Sequence, residues 1–145
     1  MRITRHEEFE MAHILPGYPG GCGNLHGHSY KIEITLEGPQ NFDQWGMILD
    51  FNTFKIFIKD IIPDHKFAYN AKDTSPIEKD ILAVLNKYGC AIEGYPFCTT
   101  AENMCKYFAE NIDSKLKSHG WLNLNVVEVK LWETSNSYAQ YIKED

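Results

Sequence analysis

Alternation of apolar and polar side chains predicts a strand over His26–Glu37. Every second residue from Ile32 to Leu36 is apolar and the residues between them are polar, which is the two-residue period of a half-buried strand. Counting back in twos from Ile32 places His26 and His28 on the same apolar side. Two imidazoles on a water-excluded face need polar partners, and a metal ion is the partner that fits both.

A second alternating segment, Ile3–His13, adds a third imidazole. If this strand pairs with the first one through the glycine- and proline-rich loop 15–24, His13 meets the other two histidines. Three protein nitrogens with an open fourth position are typical of a catalytic zinc site. A structural zinc site would be closed by a fourth ligand, which Cys22 could supply, so both kinds of site stay open on spacing alone.

Helical periodicity and capping residues predict three helices in the middle of the chain. Asp50 is a plausible N-cap, Ser75 with Glu78 forms a capping box, and Thr99 with Glu102 forms a second one. Proline or glycine ends each helix. The predicted start and stop residues are, in order, Asp50 and Pro63, Ser75 and Gly89, and Thr99 and Gly120.

Two further strands follow the last predicted helix. One has Val127, Val129, Leu131 and Glu133 on one face, and the other covers Ser137–Lys143. The main elements then follow the order ββααββ, which predicts an α+β fold with a four-stranded antiparallel sheet and helices on one face. At 145 residues we expect one domain, 1–145.

Composition narrows the classes of function. With 43% hydrophobic residues the chain is globular, and a net charge of −6 argues against a nucleic-acid binder. No apolar run is long enough to span a membrane, and the first residues lack the apolar core of a signal peptide. None of the four cysteines forms a Cys-x-x-Cys pair. We therefore expect a cytoplasmic protein without disulfides.

Six short blocks occur in a fixed order along the chain. They are Phe9-Glu-Met-Ala-His13, Cys22-x-x-x-His26-Gly-His28, Met47-Ile-Leu-Asp50-Phe51, Asp64-His65-Lys66, Thr100-Ala-Glu102-Asn103 and Leu131-Trp-Glu133-Thr134. Together they resemble the 6-pyruvoyl-tetrahydropterin synthase / 6-carboxytetrahydropterin synthase family, from about Phe9 to Tyr141. The resemblance implies the tunnelling fold (T-fold), in which such sheets assemble into oligomeric barrels, usually hexamers.

The resemblance also implies a site assembled between subunits around Zn²⁺. In it a carboxylate anchors the pterin ring through paired charge-assisted hydrogen bonds, and a cysteine works with an Asp–His pair in proton transfer. Each polar residue also has a plain structural interpretation, as a solvated strand-end Glu, a helix cap or a surface His. The implied roles are metal binding by His13, His26 and His28, proton transfer by Cys22, Asp64 and His65, and pterin binding by Glu133, Thr100 and Glu102.

The implied substrate is 7,8-dihydroneopterin triphosphate. Three residues separate Cys22 from His26, as in the bacterial enzymes that release acetaldehyde and form 6-carboxytetrahydropterin for queuosine synthesis. Animal-type enzymes, which form 6-pyruvoyl-tetrahydropterin, have a longer gap, and folate-branch relatives carry a Glu where this chain has Gly23 and Asn24. A non-catalytic, zinc-stabilised binding module is the alternative from another class.

Overall fold

The computed structural model describes residues 1–40 and 43–144. Within them a six-stranded sheet is combined with three helices and one short 3-10 turn at Gly21–Gly23. In chain order the elements are β1 (Arg2–His13), β2 (His26–Glu37), α1 (Phe51–Ile61), β3 (Lys66–Asn70), α2 (Pro76–Lys87), β4 (Ile92–Tyr95), α3 (Ala101–Ser118), β5 (Asn125–Thr134) and β6 (Ser137–Ile142).

The strands lie in the order β4-β3-β1-β2-β5-β6. The pairs β1–β2, β2–β5 and β5–β6 are antiparallel, as the alternation predicts. Strand β3 runs parallel to both β1 and β4, and α2 is the crossover between β3 and β4. The α+β class is confirmed, but the prediction of a four-stranded, wholly antiparallel sheet is wrong. Strands β3 and β4 have only five and four residues, too few to display a period.

The buried face of the sheet carries the hydrophobic core. Helices α1 and α3 pack against this face and against each other. Phe54 and Phe108 are fully buried there, and the Phe9 ring stacks on Tyr30 across the β1–β2 pair. No helix within the described residues has both the length and the apolar character needed to cross a membrane.

Two of the predicted helix caps have the expected geometry, and one is shifted by a residue. The Asp50 carboxylate accepts hydrogen bonds from two amides of the first turn, and Ser75 forms the predicted capping box with Glu78. The prediction of Thr99 as the cap of α3 is wrong, because Thr100 is the N-cap and accepts from the Asn103 amide. Thr99 is instead buried and makes other hydrogen bonds, described below.

The C-terminal pair of strands differs from the predicted pattern in two details. A register shift between Thr35 and Leu36 places Val126 rather than Val127 in the core, because one residue of β5 has no partner at that point. Beyond the shift the predicted alternation holds, and Val129 is fully buried. Strand β6 ends at Ile142, one residue earlier than predicted.

Candidate active site

The register of β1 and β2 brings three imidazoles together at one end of the sheet. His13, the last residue of β1, lies opposite His26, the first residue of β2. The ring centroids of His13, His26 and His28 are 4.6, 4.9 and 5.6 Å apart, and one nitrogen of each lies within 4.8 Å of the other two. The predicted convergence of the three side chains is therefore present.

Backbone carbonyls fix the tautomers of two of these histidines. His13 Nδ1 donates to the Thr99 carbonyl at 2.9 Å, and His26 Nδ1 donates to the Asn24 carbonyl at 2.7 Å. A neutral imidazole with a proton on Nδ1 has a lone pair on Nε2. The two Nε2 atoms are 3.1 Å apart, so two lone pairs point at each other when both rings are neutral. A bound cation removes this repulsion.

The surroundings of His28 and the pKa values of His13 and His28 also favour a metal ion at this site. His28 Nε2 is buried and has no hydrogen-bond partner among the described residues. Burial lowers the pKa of His13 to about 4; the hydrogen bond to Thr99 opposes the shift and the other two histidines add to it. Burial also lowers the pKa of His28, against the opposing charge of Glu133. Neutral imidazoles are the form that binds a metal ion, so these residues fit Zn²⁺.

Cys22 lies beside the three histidines without joining them. Among the described residues, only the three imidazoles have ligand atoms close enough to one another to share an ion. The Cys22 side chain instead lines an adjoining cavity of about 290 Å³. The arrangement is thus three nitrogens with an open position, and it lacks the Cys22 ligand that would close a structural site.

The adjoining cavity brings all three predicted pterin-binding residues together. It lies between the end of β5, the start of β6, the N-terminus of α3 and the loop before β2. Among the described residues, no lysine or arginine lines it. The predicted site residues in its wall are His13, Cys22, Thr100, Glu102 and Glu133.

Glu133 has polar neighbours inside the site. Its Oε2 is 3.9 Å from His28 Nε2, and after burial its negative charge is the next cause that raises the pKa of Tyr30. The side chain is 29% exposed. This position differs from that of a strand-end glutamate surrounded by water.

The sequence did not predict a place in the site for three polar residues, which are Tyr30, Thr99 and Asn103. Tyr30 is 1% exposed, and its hydroxyl lies 3.4 Å from His13 Nε2. The side-chain amide of Asn103 donates to the Cys98 carbonyl at 2.9 Å and so holds the turn from which Thr99 contacts His13. A hydroxyl on the apolar face of β2, two residues after His28, was the signal for Tyr30.

Asp64 and His65 lie away from Cys22 in this chain. His65 Nδ1 lies 2.9 Å from Asp64 Oδ1, and the same oxygen accepts a hydrogen bond from the Glu10 backbone amide at 3.0 Å. The pair lies beside β1, and His65 lines a different cavity, of about 470 Å³. His65 has a φ of 57°, a left-handed conformation that is uncommon for a residue with a side chain. One chain therefore brings together the histidines, Cys22 and Glu133, but not the Asp–His pair.

Known proteins resemble this chain along nearly all of its length. The family model described as 6-pyruvoyl tetrahydropterin synthase matches residues 2–144. A 6-carboxy-5,6,7,8-tetrahydropterin synthase of Haemophilus influenzae is 34% identical over 145 aligned residues and covers 97% of each chain. An enzyme of the same name from Aquifex aeolicus is 38% identical over 128 residues, covering 85% of this chain and 76% of its own.

Solved structures share the fold. An uncharacterized protein of Wolinella succinogenes superposes with a TM-score of 0.70 at 21% identity, over 99% of this chain and 98% of its own. The 6-pyruvoyl tetrahydropterin synthase of Caenorhabditis elegans gives a TM-score of 0.65 at 21% identity, over 99% and 96%. With the match to the family model across residues 2–144, the chain belongs to the 6-pyruvoyl tetrahydropterin synthase family.

Proposed function

We propose that this protein converts 7,8-dihydroneopterin triphosphate to 6-carboxy-5,6,7,8-tetrahydropterin, releasing acetaldehyde and triphosphate, as a zinc-dependent lyase of queuosine synthesis. The observation that carries the proposal is the open set of three imidazoles beside a cavity that contains both Cys22 and Glu133. The names of the bacterial relatives support the carboxy product, and so does the three-residue gap between Cys22 and His26.

Each side chain of the cavity has a task in this reaction. Zn²⁺ held by the three histidines would act as a Lewis acid toward the side-chain hydroxyls of the substrate. The Glu133 carboxylate accepts two N–H groups from the pterin ring, at its 2-amino group and N3. Cys22 lies beside the metal-binding group in the same cavity wall and moves protons to and from the substrate side chain. Thr100 and Glu102 complete the polar wall at the start of α3.

The remaining parts of the site require a second copy of the chain. In the part of the chain that the structure describes, the cavity wall carries two glutamates and no lysine or arginine, so it does not balance the charge of a triphosphate. His65 lines a different cavity, which His28 also lines. We therefore propose a homo-oligomeric barrel, a hexamer in the T-fold pattern, in which a neighbour's Asp64 and His65 reach Cys22. The sheet has outer strands β4 and β6 available for such an assembly.

An assay with substrate tests the proposal directly. Zinc-loaded protein is incubated with 7,8-dihydroneopterin triphosphate, acetaldehyde is trapped, and the pterin is identified by mass spectrometry. We expect acetaldehyde and carboxytetrahydropterin in equal amounts. Pyruvoyl-tetrahydropterin without acetaldehyde would instead assign the chain to the pyruvoyl branch, the second candidate, which the name of the matching family model favours.

Metal analysis separates the enzyme from a zinc-stabilised binding module. We expect about one zinc per chain, lost in the His26→Ala and His28→Ala variants while the fold persists, because the fold has its own hydrophobic core. His6→Ala, an exposed histidine of β1, is the matched control and should keep its zinc. Full zinc occupancy in a triple His13, His26 and His28 variant would contradict the assignment of the site.

A further inference from the structure

An exposed tyrosine lies in the wall of the cavity beside the histidines. Tyr18 belongs to the loop between β1 and β2, lines the same cavity as Cys22 and Glu133, and is 56% exposed. We propose that Tyr18 stacks on one face of the bound pterin ring and so makes the site selective for a flat heteroaromatic ligand. The inference rests on the proposed function, because it assumes that this cavity binds a pterin.

The wall of this cavity has a polar part and an apolar part. In the proposed function, the Glu133 carboxylate in the polar part binds N–H groups at the edge of the pterin ring. The two faces of a flat ring gain instead from contact with apolar or aromatic side chains, so they need other residues than its edge does. The apolar residues of the wall are Leu15, Ala101, Leu131 and Ala139, together with Tyr18 and Tyr138.

The two tyrosines of the wall differ in what their rings already contact. The ring of Tyr138 packs on Trp132 with 4.3 Å between centroids, and Lys130 Nζ lies 5.6 Å from its centroid. Within residues 1–40 and 43–144, the Tyr18 side chain has neither an aromatic contact nor a hydrogen bond. Aromatic side chains in pocket walls are common contacts of flat ligands. Tyr18 is therefore the wall residue that can accept a stacked ring.

The loop holds Tyr18 in a defined place. The Tyr18 amide donates to the Leu15 carbonyl at 3.1 Å, and the Leu15 amide donates to the Cys22 carbonyl at 2.9 Å, so the loop is closed at its base. The Tyr18 ring also lies against Gly20, where an added Cβ would come within 2.8 Å of the ring atom Cε1. The ring is thus positioned relative to Cys22 before a ligand binds, which lowers the entropic cost of stacking.

The pterin affinity of Tyr18 variants tests the inference. Unsubstituted pterin is the probe, and its dissociation constant is measured by isothermal titration of the zinc-loaded protein. We expect Tyr18→Ala to weaken binding roughly 5- to 150-fold, the range found when an aromatic side chain that stacks on a nucleic-acid base is replaced by alanine. Tyr18→Phe keeps the ring and should stay within about 3-fold of the unmodified protein. Tyr18→Leu keeps an apolar side chain without a ring and should lose most of the affinity that Tyr18→Ala loses.

Two further measurements separate stacking from a structural role of the loop. Tyr88→Ala is the matched control, because Tyr88 is 71% exposed at the end of α2 and does not line the cavity, so pterin affinity should stay unchanged. A contact that is equal in the ground and transition states affects KM alone. Tyr18→Ala should therefore raise KM several-fold more than it lowers kcat. Zinc content should stay the same in every variant, since Tyr18 is not one of the metal-binding residues.

Four results distinguish failure of this inference from failure of the proposed function. Unchanged pterin affinity in Tyr18→Ala, with weaker binding in Glu133→Gln, would overturn the inference alone. Equal affinity of Tyr18→Leu and Tyr18→Phe would also overturn it, because an apolar side chain without a ring would then be sufficient. Loss of the oligomer in Tyr18→Ala, seen by light scattering together with weaker binding, would assign Tyr18 to a contact between copies instead. Failure of the unmodified zinc-loaded protein to bind pterin would overturn the proposed function and this inference with it.

Discussion

At the scale of single residues, two facing lone pairs determine the chemistry of the site. The carbonyls of Thr99 and Asn24 each take an Nδ1 proton, which leaves Nε2 of His13 and His26 directed at each other. Two acceptor nitrogens that face each other at this distance repel unless a cation lies between them. The hydrogen bonds behind the histidines therefore prepare the site for metal before any metal arrives.

A Cys22 variant tests whether proton transfer and metal binding depend on different residues of the site. Because its side chain lies outside the group of metal-binding nitrogens and lines the cavity, Cys22→Ala should reduce kcat by about 10²–10⁴, the usual range for loss of a proton-transfer group. Zinc content and pterin affinity should stay unchanged. Steady-state kinetics and metal analysis of the same preparation measure both. Release of zinc from this variant would show that Cys22 is a ligand.

A Glu133 variant tests whether this carboxylate binds the pterin ring. Glu133→Gln keeps the shape of the side chain but removes its charge, so pterin binding should weaken by about 1.5–3 kcal/mol, the value of a hydrogen bond to a charged group. Isothermal titration with pterin measures this change. Glu128→Gln is the control on the same strand, where the half-buried carboxylate is paired with Gln140 and Lys130 on the other face. An unchanged affinity of Glu133→Gln would remove the residue from the binding site.

The residues of the site differ in how well the sequence predicts them. Alternation was sufficient to place His13, His26 and His28 on one face, since a strand has a strict two-residue period. Tyr30 occupies the same face and resembles an ordinary core aromatic. The polar surroundings of its hydroxyl depend on where the Glu133 carboxylate lies. That position is fixed by the pairing of β2 with β5, about 100 residues apart in the chain, which no local pattern contains.

At the scale of elements, the loop before β2 is held by a close backbone contact. A Cβ on Gly23 would lie 2.2 Å from the Tyr18 carbonyl oxygen, whereas a Cβ on Gly21 would have no atom within 4 Å. Both glycines flank Cys22 in the same short turn. The loop therefore depends on glycine at one of these positions only.

This difference gives a matched pair of variants. Gly23→Ala forces the turn away from Tyr18 and moves Cys22, so we expect kcat to fall at least about 10-fold, since displacements near 1 Å can cost much more. Gly21→Ala should leave kcat within about 2-fold, because its added methyl group meets open space. Kinetics of the two variants decide the point. Equal activities would show that the loop adapts without moving Cys22.

The elements themselves were predicted unevenly, for a physical reason. Strands β1 and β2 and the caps of α1 and α2 were found because their signals are local. Strands β3 and β4 were missed because short parallel strands owe their existence to distant pairing partners. The predicted cap of α3 was one residue too early because both Thr99 and Thr100 are residue types that can cap a helix. In the structure Thr99 contacts His13, and Thr100 is the N-cap.

At the scale of the whole molecule, charge and topology suggest why assembly matters. The chain has a net charge of −6, and its substrate in the proposed reaction is a polyanion. The cavity beside the histidines has an acidic wall, while His65 lines another cavity. An arrangement of copies that places the second cavity of one chain over the first cavity of another would join both sets of residues. Light scattering of the purified protein measures the proposed oligomer.

One carboxylate that contributes to the stability of the fold is Asp113, which joins α3 to the last strands. Asp113 accepts from the Val126 amide at 3.2 Å, from Lys117 Nζ at 3.1 Å and from Lys143 Nζ at 3.4 Å. Burial raises the pKa of Asp113, but hydrogen bonds from Lys117 and Val126, with the charges of Lys117 and Lys143, lower it below its ordinary value. The folded protein therefore favours the ionised form more than the unfolded chain does.

The pH dependence of unfolding tests this contribution. Because the folded pKa of Asp113 is depressed, its contribution is fully present above the unfolded value of about 3.9 and is lost as the pH falls through the folded value. At pH 6–7, Asp113→Asn should lower the free energy of unfolding by about 1 kcal/mol; the difference should shrink below about pH 4. Urea unfolding at several pH values measures this difference in the free energy of unfolding.

Glu110→Gln, an exposed member of an i,i+4 pair on the same helix, should change stability by less than about 0.5 kcal/mol at every pH. A gap for Asp113→Asn that stays constant down to about pH 2 would contradict the depressed pKa.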